Sequence, residues 1–302
     1  RVDIVYRRTP AQLARLEYIS SSVGTDLRSR LERAVQSYED TLTVYFSYYT
    51  PCDFEQLVRA CYDANPGTVM SMPEMTVTFY PDSGASRIVE LTFSYPADAA
   101  ALRQMKKAVD ETVLAAAVYT RYCSTETDRA QLFYTFLTER FPYAQASSRT
   151  PVYSLFCEGT ATSEGAAKCW QMLCDETDVA CRTVHGLRGG EDYWWNVVQL
   201  DGRWYHVDLL RDLLEGGGVR TYSDAAMGDY YWDASAYPAC PEYDEPEEEQ
   251  PDGEEPAPED PEQPDTELPA DEPTPDTEQP APDTSEAEQT SRVLTPDIIT
   301  AR

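Results

Sequence analysis

The sequence predicts an α+β protein, and three observations carry that expectation. Pairs of β-rich runs are joined by short turn signals at Pro81-Asp-Ser-Gly and at Asp201-Gly202, the pattern of antiparallel hairpins. Long stretches of strong helix formers lie between them, at 98–122 and 126–140. After residue 240 the composition changes to acid and proline, which cannot pack a core.

Taken in order, residues 9–38 are polar and helix-like, and 41–49 form a β-branched and aromatic run that reads as a strand. Residues 54–63 read as a short helix closed by Asn65-Pro66-Gly67. Strands are expected at 75–80 and 87–95, then the two long helices. The second of these stops before Pro142, because proline disfavours helix for the residue ahead of it.

The stretch from 155 to 212 carries the chemistry. Gly159-Thr-Ala-Thr-Ser163-Glu-Gly165 leads into Ala166, Cys169, Trp170, Leu173 and Cys174, which share one helical face. Ser163 therefore falls at or just before a helix N-terminus, where exposed amides favour an anion. A serine there is equally a helix cap. Residues 179–185, 192–200 and 203–208 read as strands. The Asp201-Gly202 turn sets Leu200 opposite Arg203, Val197 opposite His206 and Trp195 opposite Asp208. Tyr193, Trp195 and Val197 then share a sheet face with Trp204, His206 and Asp208, and Tyr193 becomes a diagonal neighbour of Asp208.

Charge excludes some functions. The net charge is -30, and residues 241–290 hold 21 acidic residues, 12 prolines and no Lys or Arg. Without that segment, 54 minus 21 acids face 24 bases, a net of -9. Neither part suits nucleic acid or an anionic membrane, since phosphate binding needs clustered cations. Residues 241–302 are expected to be an acidic, Pro-rich disordered linker or tail. Its last twelve residues regain Val293, Leu294, Ile298 and Ile299, as a docking segment or a plain end would. The sequence holds no leader, lipid-anchor motif or spanning apolar run. Eight cysteines without paired CxxC knuckles, and only two histidines, point to no metal and no cofactor. The even cysteine count leaves disulfides and free thiols both open.

The stretch 126–240 resembles the transglutaminase-like superfamily, particularly its bacterial secreted members. That family places a Cys in a G-x-x-x-C-x-G-x-A helix start, a His in an H-A-W-N strand and an Asp in a D-G-x-W-Y-x-V-D strand. Here Ser163 stands at the Cys position between Gly159 and Gly165. Tyr193 stands at the His position before Trp195 and Asn196, and Asp208 matches at the end of Asp201-Gly202-Arg203-Trp204-Tyr205-His206-Val207. The resemblance implies a papain-type domain at 123–240 with helices packed on an antiparallel sheet. A smaller α/β region would precede it at 1–122, and the tail would follow at 241–302.

It also implies a degenerate triad of Ser163, Tyr193 and Asp208. The family's thiolate attacks a glutamine or peptide carbonyl with His carrying the proton. A serine without a base does not, and a phenol with a pKa near 10 is no base at neutral pH. Tyr193 is expected instead to donate a hydrogen bond to Asp208. The implied protein is a pseudoenzyme, extracellular or at the cell surface, with a peptide or cell-wall glycan as ligand and an oligomeric state left open. The alternative is a serine-dependent peptidase or acyltransferase using Ser163 with His206 and Asp208. His185 reads as structural, and neither Cys157 nor Cys169 replaces the missing thiol. Trp194, Trp195, Trp204 and Trp232 fit either a binding cleft or core.

Overall fold

In the computed structural model, residues 9–22 and 24–243 are described, and they fall in one compact unit. The expected tail beyond Tyr243 lies outside the described residues. The first half begins with α1 (Pro10–Ala14), β1 (Glu17–Ser21), α2 (Thr25–Gln36) and β2 (Thr41–Tyr48). The helix-like stretch 9–38 thus forms two helices, with a strand between them. Tyr18 and Ile19 favour a strand, and β1 pairs in parallel with β2 through the α2 crossover. Asp53 caps α3 (Phe54–Asp63), its side chain accepting from the Gln56 amide. β3 (Glu74–Tyr80) and β4 (Arg87–Ser94) form the expected hairpin and complete a sheet of order β1-β2-β4-β3.

The long helix α4 (Ala99–Thr120), capped by Asp98, is followed by α5 (Glu126–Arg140). Beyond come β5 (Ala144–Gln145), α6 (Pro151–Glu158), β6 (Thr160–Ala161) and α7 (Ser163–Glu176). β7 (Cys181–Arg188), β8 (Glu191–Leu200) and β9 (Arg203–Val207) then build the second sheet. After the short α8 (Leu209–Glu215), β10 (Tyr230–Tyr231) closes that sheet in the order β10-β7-β8-β9, antiparallel throughout.

Helix α4 packs on α5, α6 and α7. One apolar core therefore runs from Ile19 and Val44 through Leu102 and Phe133 to Trp170 and Leu210, across the expected boundary at 122. Lys168 of α7 links the two halves. Its buried ammonium lies 2.9 Å from Asp63 of α3, 2.9 Å from Glu164, and 3.2 Å from the centroid of the Tyr62 ring. A charge taken out of water needs such partners.

Strand β8 divides its side chains between two cores, as period two requires. Val198 and Leu200 join the large core, and Asn196 donates to the Ala167 carbonyl of α7 at 3.0 Å. On the opposite face Trp195 and Val197 join a second cluster with Val184, Met227, Tyr230 and Cys240. All eight cysteines are free thiols. Tyr243, placed by sequence in the tail, packs against Tyr205 with centroids 5.2 Å apart and the rings tilted by 57°, and its hydroxyl accepts from the Trp204 amide. No helix among the described residues is long and apolar enough to cross a membrane.

Candidate functional site

Ser163 opens α7, as the residue order requires, but the cap is its neighbour. The Thr162 hydroxyl accepts from the Gly165 amide at 2.9 Å, leaving Ser163 as the first helical residue, half-buried. The approach of α6 to this turn depends on Gly165. A Cβ there would lie 2.6 Å from the Pro151 carbonyl oxygen, nearer than real contacts allow. Among the described residues Ser163 hydrogen-bonds to neither Tyr193 nor Asp208.

The hairpin register is the expected one. Leu200 pairs with Arg203 and Val197 with His206, while Asp201 and Gly202 turn with φ of 51° and 80°. β9 ends at Val207, so Asp208 is not a strand residue opposite Trp195 but the cap of α8, accepting from the Arg211 amide at 3.1 Å. The shared face survives this change. The Tyr193 hydroxyl donates to Asp208, 3.2 Å from Oδ1 and 3.0 Å from Oδ2. Tyr230 donates to Oδ2 at 2.6 Å and Arg188 Nη1 at 3.2 Å. Asp208 is 1% exposed and its two oxygens accept from two phenols, a guanidinium and an amide.

Arg188 and Tyr230 were not singled out from sequence. Arg188 Nη1 also donates to the Tyr193 hydroxyl at 3.1 Å, and its guanidinium sits 5.1 and 5.0 Å from the Tyr193 and Tyr230 ring centroids. A signal for Arg188 existed. Gly189-Gly190 is a two-residue hairpin turn that pairs Arg188 with Glu191 and Gly186 with Tyr193, so Arg188 is Tyr193's diagonal neighbour on the same face. Tyr230 comes from the short strand β10, where it pairs directly with Arg188, and no local pattern marks it.

Electrostatics keep Tyr193 a donor. Burial raises its phenol well above the ordinary value and the Asp208 carboxylate raises it further, against the opposing pull of Arg188. Tyr230 is raised by burial and by Asp208 in the same way. Both phenols therefore stay protonated, and a neutral phenol is too weak a base to take a proton from Ser163.

His206 is the correction. Both its ring nitrogens are spent away from Ser163 and Asp208. Trp195 Nε1 donates to Nδ1 at 2.9 Å, and Nε2 lies 2.8 Å from Asp224 Oδ1. An indole nitrogen only donates, so Nδ1 holds the lone pair and Nε2 the proton. The Ser163–His206–Asp208 relay is therefore not built. The same tautomer bears on the cluster of His206, Asp224 and Cys240, whose ligand-type atoms lie within 4.8 Å of one another. Nε2 presents a proton where a cation needs a lone pair. Burial, then Asp224, pushes the Cys240 thiol up to about 12. Cys169 is fully buried and points its thiol at the Val152 carbonyl, and burial raises its pKa as it does that of Cys157. Neither supplies the missing nucleophile.

The four tryptophans divide. Trp195 is core, Trp204 and Trp232 pack against its cluster, and Trp194 lies on a cleft with His185. A larger cleft of about 740 Å³ lies in the first half between Arg15, Ser37, Thr41 and Arg103, away from the triad positions.

Residues 114–209, which contain all three triad positions, match the family model of the transglutaminase-like superfamily. No curated protein matches the chain. Among solved structures the chain is similar to a TGase at 10% identity and a TM-score of 0.28, covering 64% of this chain and 58% of that one. It is similar to a candidate cysteine protease from Cytophaga hutchinsonii at 10% identity and 0.29, covering 49% and 68%. A candidate protease from Parabacteroides distasonis matches at 11% identity and 0.26, covering 61% and 45%.

Proposed function

Given a transglutaminase-like domain at 114–209, we propose that its catalytic centre is silent and that it serves as a peptide- or glycan-binding module of a secreted or cell-surface bacterial protein. One observation carries the silence. Asp208, whose task in a working triad is to orient an imidazole, is instead saturated by Tyr193, Tyr230, Arg188 and the Arg211 amide. Ser163 retains the helix start, with its amides, but has no base within the constellation. An alkoxide is far costlier to form than a thiolate, so the amides alone do not activate it. The extracellular reading is supported by the resemblance and by the acidic, Pro-rich composition of 241–290, which suits a spacer.

The test is amine incorporation into a glutamine donor protein, beside peptide hydrolysis, with the full chain and with Ser163→Ala. Both proteins should stay at background. Turnover that is lost in Ser163→Ala would overturn the reading.

A further inference from the structure

Helix α7 lies against the start of β7, and hydrogen bonds fix how the two pass each other. The Ala167 carbonyl accepts from the Asn196 side chain at 3.0 Å. The Gln171 side-chain oxygen accepts from the Thr183 hydroxyl and amide at 2.6 and 3.3 Å. Beyond the helix end the chain turns back, and the Val179 amide donates to the Cys174 carbonyl at 2.9 Å.

Ala167, Gln171 and Cys174 form one stripe of α7 at i, i+4 and i+7. In the ladder Thr183 lies opposite Asn196 and Cys181 opposite Val198, so these four share the sheet face turned to that stripe. One step past the Gln171–Thr183 contact, the residues that meet are therefore Cys174 and Cys181. Both belong to the large core, Cys174 as a buried member and Cys181, half-buried, packed against it. Burial, then the facing Cys181 thiol, raises the Cys174 thiol well above its ordinary value.

We propose that Cys174 and Cys181 are a modification site, where a small disulfide oxidant such as oxidised glutathione joins them in a cross-link from α7 to β7. The thiolate of Cys181, the more exposed of the two, attacks one sulfur of the oxidant and expels a glutathione thiolate. Cys174 then gives its proton to solvent and attacks the Cys181 sulfur, expelling the second thiolate. Two electrons pass from the protein thiols to the oxidant, and both glutathione thiolates take up a proton. Burial of Cys174 makes the second step slow. The cross-link ties the helix that Ser163 opens to the strand that carries Arg188. Disulfides persist in the oxidising compartments of secreted proteins, but the proposal uses neither the silence of Ser163 nor the binding reading.

Peptide mapping of the full chain tests it, after overnight equilibration with oxidised glutathione and alkylation of the remaining thiols. The single-chain band of a non-reducing gel is digested with trypsin and a protease that cuts after glutamate. Cuts after Lys168, Glu176 and Arg182 place the two cysteines on separate peptides. Peptides 169–176 and 177–182 should travel as one species in the major part of the protein and separate on reduction. The link should persist in Cys169→Ala, where Cys174 is the remaining cysteine of the first peptide. Fragment spectra of the unaltered protein locate the bridging sulfur independently, and they should place it at 174. Unlinked peptides, a bridge at Cys169, or a lasting glutathione adduct on Cys181 beside an alkylated Cys174 would each overturn the proposal.

Discussion

The Tyr193 hydroxyl lies 3.0 Å from Oδ2 of Asp208 and donates its proton there, joining the two positions that in a working triad would hold base and orienting acid. The phenol keeps its proton under the combined effect of burial and the facing carboxylate. The bond therefore holds the site together instead of moving charge through it.

Tyr193→Phe removes that donor and leaves a buried carboxylate one partner short. A loss of about 1–3 kcal/mol is expected, the usual cost of an unsatisfied buried group. Urea unfolding of the two proteins measures it, and unchanged stability would mean that Tyr230 and Arg188 suffice.

Arg188 and Tyr193 share Asp208 and bond each other, so their effects should not add. In a double-mutant cycle with Arg188→Met and Tyr193→Phe, an interaction energy of about 0.5–3 kcal/mol is expected. Strict additivity would show that the two contacts are energetically separate.

His206 sets a pH dependence. Burial lowers its imidazole pKa, and the Asp224 carboxylate only partly opposes this. The folded state thus holds its proton less tightly than the unfolded state. Its contribution is fully present above the unfolded value, near 6.5, and is lost as pH falls from there through the folded value. Stability compared at neutral pH and in mild acid should decline, and the decline should be shallower in His206→Gln. An equal slope in both proteins would assign the effect to other groups.

Gly165→Ala places a methyl group against the Pro151 carbonyl oxygen where helices α6 and α7 meet. Overpacking of this kind costs about 1–3 kcal/mol, and thermal unfolding should show a lowered midpoint. The control Gly189→Ala has no clash but adopts a positive φ of 59°, so it should lose less, through backbone strain alone.

Local signals were enough for much of this protein. The Asp201-Gly202 turn carried its own register, because the two-residue turn and the alternation of Trp195, Val197, Trp204 and His206 allow one pairing. That register alone made Tyr193 and Asp208 neighbours. The Ser163 helix start was legible from the glycines and the apolar face behind it, although the choice of Thr162 as cap was not. What the tertiary structure decided were the contacts made by distant chain. Tyr230 reaches Asp208 from 22 positions away, and Asp224 reaches His206 from 18. Glu17–Ser21 becomes a strand because β2 lies beside it, overriding a helical prospect in its own composition. The residue types that make silence possible are written at 163 and 193. The Tyr230 contact that completes Asp208, and the commitment of His206 Nε2 to Asp224, depend on groups that only folding brings close, since a hydrogen bond is decided by distance in space and not by order in the chain.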